Sequence, residues 1–452
     1  MFEVLRTRMA KTRELRDNAT LSRAEFEAKR LQKFREFVRF VNEHSPYYAD
    51  VIKQRGIDPA TATPEQFPVL TKSILMANFD AIVTDKRITK AAIAEFLTRS
   101  HEPTERFLDH FTVIHTSGSS GEVGYFVYSP EDLARGVTFG RPAQRRQSRL
   151  QRRHRGRFRV AFFGATDGHY AGVTMVSMLG RGIARLFIKM ATFEVNSPLP
   201  DVIAGLNEFQ PDFMVGYTTA LKILAEKQRE GVLKISPLVI GASGEATTRG
   251  DKEILHGAFG SAVVNSYGCS EHLGMGGSPP DSDEIVLYDD DLMFEFFDDH
   301  CLITNLFNHT LPLIRYRMSD TLKPVATDKH APYLVIENLI GRNELQPVFV
   351  NRDGARDFIS PHTINEVFVT GVTRFQLHMT GDTSFRFLVC LDKTLVAEQK
   401  AAALNGVRKR LLEILAAKRL DNVQFDVVEA DDLPVDPKTR KFRLIVDARK
   451  AS

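Results

Sequence analysis

Thr116-Ser117-Gly118-Ser119-Ser120-Gly121 lies between two β-prone runs, Phe111-Thr112-Val113-Ile114 and Tyr125-Phe126-Val127-Tyr128. That setting predicts a tight loop joining two strands. Its two glycines allow positive φ and a close approach of backbone to a ligand. The hydroxyls and N–H groups of such a turn suit an anion, phosphate above all. A Ser/Gly-rich hairpin turn with no ligand fits the same hexapeptide. The stretch is not a Walker loop, because Gly121 is followed by Glu122-Val123-Gly124 rather than Lys-Ser/Thr. Nor does a Gly-x-Ser-x-Gly nucleophile elbow stand here.

Working outward, the 452 residues suffice for two or three domains and a large core. Hydrophobic residues make up 43% and charged residues 26%, the balance of a globular chain. With 32 Phe and no Trp, any aromatic pocket is built from Phe and Tyr. A net charge of +3 does not mark the whole protein as a polyanion binder. Cys269, Cys301 and Cys390 lack Cys-x-x-Cys spacing, which argues against a disulfide scaffold and against zinc and fits a reducing cytoplasm. Met1 to Arg16 mixes acids and bases without an apolar run, so no secretory signal is expected there. No apolar run of about 18 residues predicts a membrane span.

Ser22-Arg23-Ala24-Glu25 reads as a capping box before an amphipathic helix that places Leu31, Phe34, Val38 and Val41 on one face. That helix should stop near His44-Ser45-Pro46, with Tyr47-Tyr48 in the loop beyond. Phe67 to Lys72 leads into a short helix, and Pro130-Glu131-Asp132 opens another. The tract from Arg141 to Arg159 holds nine arginines, His154 and no acid in 19 residues. A solvated face, a grip on an anionic cofactor tail and a nucleic-acid surface all fit it; with Phe158 its one aromatic, nucleic acid is the least favoured.

From Arg159 to Tyr267, apolar strands at Val160–Phe163, Phe213–Val215, Leu238–Ile240 and Ala262–Val264 alternate with helices at Leu199–Phe209, Thr219–Glu230 and Lys252–Phe259. This rhythm predicts parallel α/β layers, with ligands beyond the carboxyl ends of the strands. A β-rich stretch follows from Glu284 to Leu339. Gly341-Arg342 then opens a tail of roughly 110 residues whose order suggests a small β-α-β-β-α-β unit. The fold class is therefore α/β: a large N-terminal domain of layered mixed sheets and helices over 1–340, and a small α+β C-terminal domain over 341–452.

Four further stretches join the opening loop: Ser266-Tyr267-Gly268-Cys269-Ser270-Glu271, Tyr316-Arg317-Met318-Ser319-Asp320, Gly341-Arg342-Asn343-Glu344 and Asp436-Pro437-Lys438-Thr439-Arg440-Lys441. In this order the set resembles the adenylate-forming acyl ligases, and within them the phenylacetate–CoA ligase branch with its CapK-like proteins. Asn42 to Tyr48, the Pro68…Thr71-Lys72 segment, and Thr304-Asn305-Leu306 running into Pro312-Leu313-Ile314-Arg315-Tyr316 carry the same likeness. The resemblance spans roughly Phe34 to Val446.

The resemblance implies an AMP-forming carboxylate–CoA ligase that activates an aromatic or medium acyl acid with ATP and Mg²⁺. It assigns the β- and γ-phosphates of ATP to Thr116, Ser117, Gly118, Ser119, Ser120 and Gly121. It places adenine against Tyr267 and Gly268 and the Ser243-Gly244-Glu245 segment. It gives the ribose to Asp320 and Arg342, Mg²⁺ to Glu271, and a phosphate contact to Ser270. Lys441 would bridge carboxylate and α-phosphate, and a mobile C-terminal domain would carry it. His169, Tyr170 and Tyr217 are expected at the acyl pocket, where a packed aromatic pair is the other reading of His169-Tyr170. Taken singly, Glu271 reads as a surface acid, Asp320 as a turn residue and Lys441 as a solvated lysine. The acceptor is CoA or an acyl carrier protein or amine, and a CapK-like non-ligase role in polysaccharide biosynthesis is the alternative from another class. The implied partners are small-molecule carboxylic acids, no membrane, and a second copy of the chain as a homodimer. Glu122 after the loop, Met318-Ser319 before Asp320, Asn343-Glu344 after the arginine and Arg440 before Lys441 depart from the family pattern.

Overall fold

Burial of a few amphipathic faces organises the chain, as seen in a computed structural model that describes residues 2–116, 123–137, 156–166, 168–179, 185–280, 282–318, 320–337, 345–365, 367, 369–435 and 443–451. Helix α1 (Phe2–Asn18) precedes α2 (Arg23–His44), whose N-cap Ser22 and Glu25 form the expected reciprocal capping box. Phe34, Val38 and Val41 are buried on one face of α2, with Leu31 half-buried beside them. Helix α3 (Pro46–Arg55) begins at once, so Tyr47 and Tyr48 are helical and not in a loop. Proline stops one helix but is well suited to the first turn of the next, where its missing N–H is not needed. Helices α4 (Lys72–Ala77, capped by Thr71), α5 (Phe79–Ile82) and α6 (Lys90–Arg99) follow.

Strands β1 (Thr112–His115) and β2 (Tyr125–Tyr128) form the expected antiparallel hairpin, with His115 opposite Tyr125. Helix α7 (Pro130–Gly136) leaves β2 through a Ser129/Asp132 capping box. The buried Asp132 carboxylate also accepts the His309 and Thr310 N–H groups at 3.0 and 3.3 Å, which fixes the hairpin to the distant 308–310 turn.

Next come β3 (Phe158–Gly164), α8 (Ala171–Leu179), β4 (Ile188–Glu194), α9 (Leu199–Phe209), β5 (Phe213–Tyr217), α10 (Thr218–Arg229), β6 (Val239–Ser243), α11 (Arg249–Phe259) and β7 (Ala262–Cys269). The five strands pair in parallel in the order β4-β3-β5-β6-β7. The sheet then turns antiparallel through β8 (Leu273–Gly277) and β9 (Ile285–Leu287). Strands β10 (Leu292–Phe296), β11 (Cys301–Asn305) and β12 (Leu313–Met318) make a separate antiparallel sheet, and β13 (Val335–Ile336) returns to pair with β9.

The tail opens with a hairpin, β14 (Val348–Val350) and β15 (Arg356–Phe358), then α12 (Pro361–Asn365). Strands β16 (Val372–Gly381) and β17 (Ser384–Leu391), helix α13 (Ala397–Ala417), β18 (Gln424–Glu429) and β19 (Ile445–Asp447) complete it. The four-stranded sheet runs β18-β17-β16-β19. The expected β-α-β-β-α-β order is thus amended: the opening hairpin stands apart, and β19 supplies the outer strand beside β16.

Three main apolar cores result. One joins the N-terminal helices to the β1–β2 hairpin and the β10–β12 sheet around Phe34, Phe79, Phe126 and Tyr316. A second lies between the parallel sheet and α9–α11, around Phe163, Leu206, Leu221 and Leu255. The third belongs to the tail, around Leu377, Phe387, Val407 and Leu411. Among the described residues, no helix is long and apolar enough to cross a membrane.

Candidate active site

The carboxyl ends of the parallel strands set the platform. Tyr217, Ser243 and Ser266 stand side by side in the register of β5, β6 and β7. Just past β6, Gly244 has φ 73, and a Cβ there would come within 2.8 Å of the Tyr217 ring. Only glycine meets both demands without strain. The Ser243 hydroxyl reaches the Gly216 carbonyl at 3.4 Å. The Glu245 carboxylate accepts the Thr219 N–H and hydroxyl, each at 2.8 Å, and so caps the first turn of α10. A negative charge there is favoured by the dipole at the helix N-terminus.

Strand β7 carries Tyr267, Gly268 and Cys269 into the Ser270–Glu271 turn. The β1–β2 hairpin is fastened onto this turn. The Tyr128 hydroxyl lies 2.7 and 2.9 Å from the Ser270 and Glu271 carbonyl oxygens, and the Ser270 hydroxyl donates to the His115 carbonyl at 3.4 Å. The hairpin closes at Thr116, whose N–H donates to Gly124 at 3.0 Å and whose hydroxyl accepts from Gly124 at 2.9 Å. Ser117, Gly118, Ser119, Ser120 and Gly121 lie outside the described residues, as do Ser319, Arg342 and Lys441.

Two carboxylates face this turn. Tyr267 donates its hydroxyl to Asp320, just beyond β12, at 2.8 Å. Burial, with Asp320 beside it, pushes the Tyr267 phenol well above its ordinary range, so it remains a donor. Glu271 is only 7% exposed, and its Oε1 lies 3.5 Å from the Tyr316 hydroxyl. Burial raises its pKa above the usual carboxylate value, while the Lys72 ammonium pulls the other way. Lys72 arrives because Leu70 pairs with Tyr316: the Leu70 N–H donates to Arg315 at 3.0 Å and the Leu70 carbonyl accepts from Arg317 at 2.9 Å. The sequence marked the Thr71-Lys72 segment without giving it a role at the site.

Cys269 sits between these groups, with its sulfur 3.4 Å from that of Met275. Burial and the adjacent Glu271 push its thiol well up, so it stays protonated and is a poor nucleophile.

The three residues expected at an acyl pocket differ in their burial and partners. Tyr170 is half-buried, its ring 4.6 Å from that of His115. Tyr217 is 6% exposed and accepts the Ala165 N–H at 3.3 Å. His169 has no exposed surface and packs inside the wall, its ring 5.2 Å from Phe96. Its Nε2 lies 2.8 Å from the Ser100 hydroxyl, which donates to Glu105 at 2.6 Å. The serine is therefore in the middle of this chain and the imidazole at its end, so the histidine does not activate the hydroxyl as a base. Burial lowers the His169 pKa to about 4.

Glu271 offers the oxygen donors that a hard cation such as Mg²⁺ prefers, and its burial leaves a negative charge that a cation would offset. A second group of carboxylates, Glu14, Asp290 and Asp291, lies elsewhere. There Lys11 sits 2.6 Å from Asp290 and 2.7 Å from Asp291, so lysine already supplies the positive charge.

No family model matches the chain. Over 345 residues it is 23% identical to Protein CapK of Staphylococcus aureus, an alignment spanning 69% of this chain and 67% of that protein. Among solved structures it resembles 2-hydroxyisobutyryl-CoA ligase in complex with 2-HIB-AMP and CoA in the thioesterification state, with TM-score 0.58 and 17% identity over 96% of this chain and 91% of that one. The same ligase in the postadenylation state with 2-HIB-AMP gives TM-score 0.54 and 17% identity over 96% and 92%. The chain therefore has the fold of the adenylate-forming ligase superfamily, with a separate C-terminal domain.

Proposed function

We propose that the chain is an ATP-dependent carboxylate ligase that activates an aromatic or medium acyl acid as acyl-AMP and passes the acyl group to CoA. The observation that carries this reading is the convergence of Tyr267, Asp320, Glu271 and Lys72 on the turn to which the β1–β2 hairpin is fastened. Residues from three separate segments, with the hairpin as a fourth, then surround one nucleotide at the carboxyl ends of parallel strands, where this class of sheet binds ligands.

The acid's carboxylate oxygen attacks the α-phosphorus; the bridging P–O bond to the β-phosphate breaks and pyrophosphate leaves. The acceptor thiol then attacks the acyl carbon and AMP departs. Positioning and charge supply most of the catalysis in such transfers. Asp320, oriented by the Tyr267 hydroxyl, accepts the ribose hydroxyls. Glu271 holds Mg²⁺, which when bound neutralises phosphate charge. Lys72 balances the buried carboxylate before the cation binds. Ser117 to Gly121 cradle the β- and γ-phosphates, Arg342 meets the ribose, and Lys441 approaches the α-phosphate from a mobile domain over 341–452. Three cysteines without Cys-x-x-Cys spacing support a cytoplasmic setting for the activity.

Carboxylate-dependent exchange of pyrophosphate into ATP, run over a broad acid panel, tests this reading. Exchange is expected with at least one acid and is lost in Asp320→Ala. Folded protein that exchanges with no acid in the panel would refute it. Asn343-Glu344, which depart from the family's hinge, favour a second reading in which a carrier protein or amine takes the acyl group. Full turnover with CoA alone separates the two.

A further inference from the structure

Strand β16 alternates as a sheet with one apolar face should. Phe375, Leu377 and Met379 point into the tail's core, while Arg374, His378 and Thr380 take the other face, exposed or half-buried. Gln376 belongs to that second face by register, yet it has no exposed surface. It is met there by the chain on either side of the 435–442 segment. Its Nε2 donates to the Pro434 carbonyl at 3.0 Å and to the Arg443 carbonyl at 2.7 Å. One buried amide thus fastens two backbone points that stand nine residues apart in sequence.

Both N–H groups of the amide are committed in this way, so Oε1 is left as an acceptor. His378, two residues along the same face, has its Nε2 at 2.7 Å from that oxygen. Facing an acceptor, His378 carries its hydrogen on Nε2. Burial and the Arg386 charge hold the ring below its ordinary pKa, so it is neutral at pH 7 and donates all the same. The Leu377 N–H donates to the Leu444 carbonyl at 2.9 Å, where β16 begins its parallel pairing with β19. Leu433 and Leu444 are buried beside the two fastened carbonyls. An apolar side chain of the same size would fill this place, but it would leave both carbonyls without the donor they have. Packing therefore does not explain the choice of an amide.

We propose that Gln376 is a positioning residue for adenylation: by pinning Pro434 and Arg443 to one amide it fixes the two points between which the Lys441 segment is strung. The role of Lys441 rests on the ligase reading above; the pinning rests on the Gln376 geometry. Charge at the end of a long side chain serves a reaction only where its backbone is placed, and a displacement of about 1 Å at a reacting group costs roughly a hundredfold in rate.

Native-state cutting of the full chain by trypsin, after Lys438, Arg440 and Lys441, reads the pinning without reference to catalysis. Gln376→Met keeps the volume and removes both donors. Cutting at these three sites should become roughly tenfold faster or more, while the sites after Arg408, Lys409 and Arg410 in α13 stay protected. Equal cutting of variant and wild type would overturn the proposal. Cutting throughout α13 would also overturn it, since Gln376 would then be a core residue and no more. A second arm separates positioning from packing. In the same variant, carboxylate-dependent pyrophosphate exchange should fall roughly tenfold or more, while thioester formation from supplied acyl-AMP holds its wild-type rate. Equal losses in the two half-reactions would overturn the proposal. A wild-type chain that exchanges with no acid, but whose cutting responds as expected, would refute the ligase reading and leave the pinning of the segment standing.

Discussion

Glu271 is held at a cost. Burial disfavours its charged form, so its pKa in the fold lies above the ordinary carboxylate value. A raised carboxyl pKa means that stability falls as pH rises through the usual carboxylate range towards the folded value. Glu271→Gln removes that charge in place. Its Tm at neutral pH should therefore exceed that of the wild type, while adenylation is lost. Mg²⁺ should raise the wild-type Tm and leave the variant unmoved, which a thermal scan with and without the cation reads directly. The buried histidines act in the opposite pH direction. His169 and His272 are held neutral, with pKa lowered to about 4 and about 3. The unfolded chain gains protons below about 6.5 that the folded chain refuses, so stability is lost as pH falls from there. The His169→Gln variant should lose less Tm between pH 7 and pH 5 than the wild type; an equal slope would place that proton uptake elsewhere. Single residues were partly legible. Glu271, Asp320 and Tyr267 were singled out by the family resemblance of their segments, which also took in Lys72 and Tyr316 without giving them a role, whereas nothing local to Tyr128 points to a site. Tyr128 meets the Ser270–Glu271 turn from 142 residues away, a distance that no sequence window spans.

At the scale of the element, the site depends on the β7–β8 connection. Gly268 faces the Leu273 carbonyl so closely that a Cβ would collide with backbone, which does not yield as a side chain can. Gly268→Ala should push the Ser270–Glu271 turn off the hairpin and abolish activity, with a clear loss of Tm; a variant with wild-type turnover would show that this turn does not position the site. Four of the five parallel strands and helices α9 to α11 were readable because apolar runs and amphipathic periods alternate over most of Val160 to Tyr267, whereas α8 was not read. Strand β4 was not, because it is a half-exposed edge strand with no buried run to mark it. Helix α3 was missed for a different reason: Ser45-Pro46 reads equally as a stop and as a start. The outer strand β19 is three residues long, and its place beside β16 is decided by packing in the tail and not by its own composition.

At the scale of the whole molecule, three cores divide the work. The first carries the hairpin and the β12 edge that delivers Tyr316 and Asp320. The second supports the parallel sheet whose rim bears Tyr217, Ser243 and Ser266. The third belongs to the tail and touches the second through Phe358. Among the described residues, the joint of the first two bears the candidate site, which explains why motifs far apart in sequence had to be read together before any one of them meant much. Glu245, whose motif position suggests a nucleotide contact, also serves the fold, since its carboxylate caps α10. The arginine tract contributes nothing to this account, since 141–155 lie outside the described residues.

The central claim is that Tyr267, Glu271 and Asp320 serve a single nucleotide. Calorimetric titration of ATP with Mg²⁺ onto the full chain tests it most directly. The wild type should bind one ATP, and Asp320→Ala should weaken that binding roughly tenfold or more, as loss of a charged acceptor to ligand hydroxyls does. Glu271→Gln should bind ATP with its dependence on Mg²⁺ removed. Wild-type affinity and wild-type Mg²⁺ dependence in both variants would contradict the account.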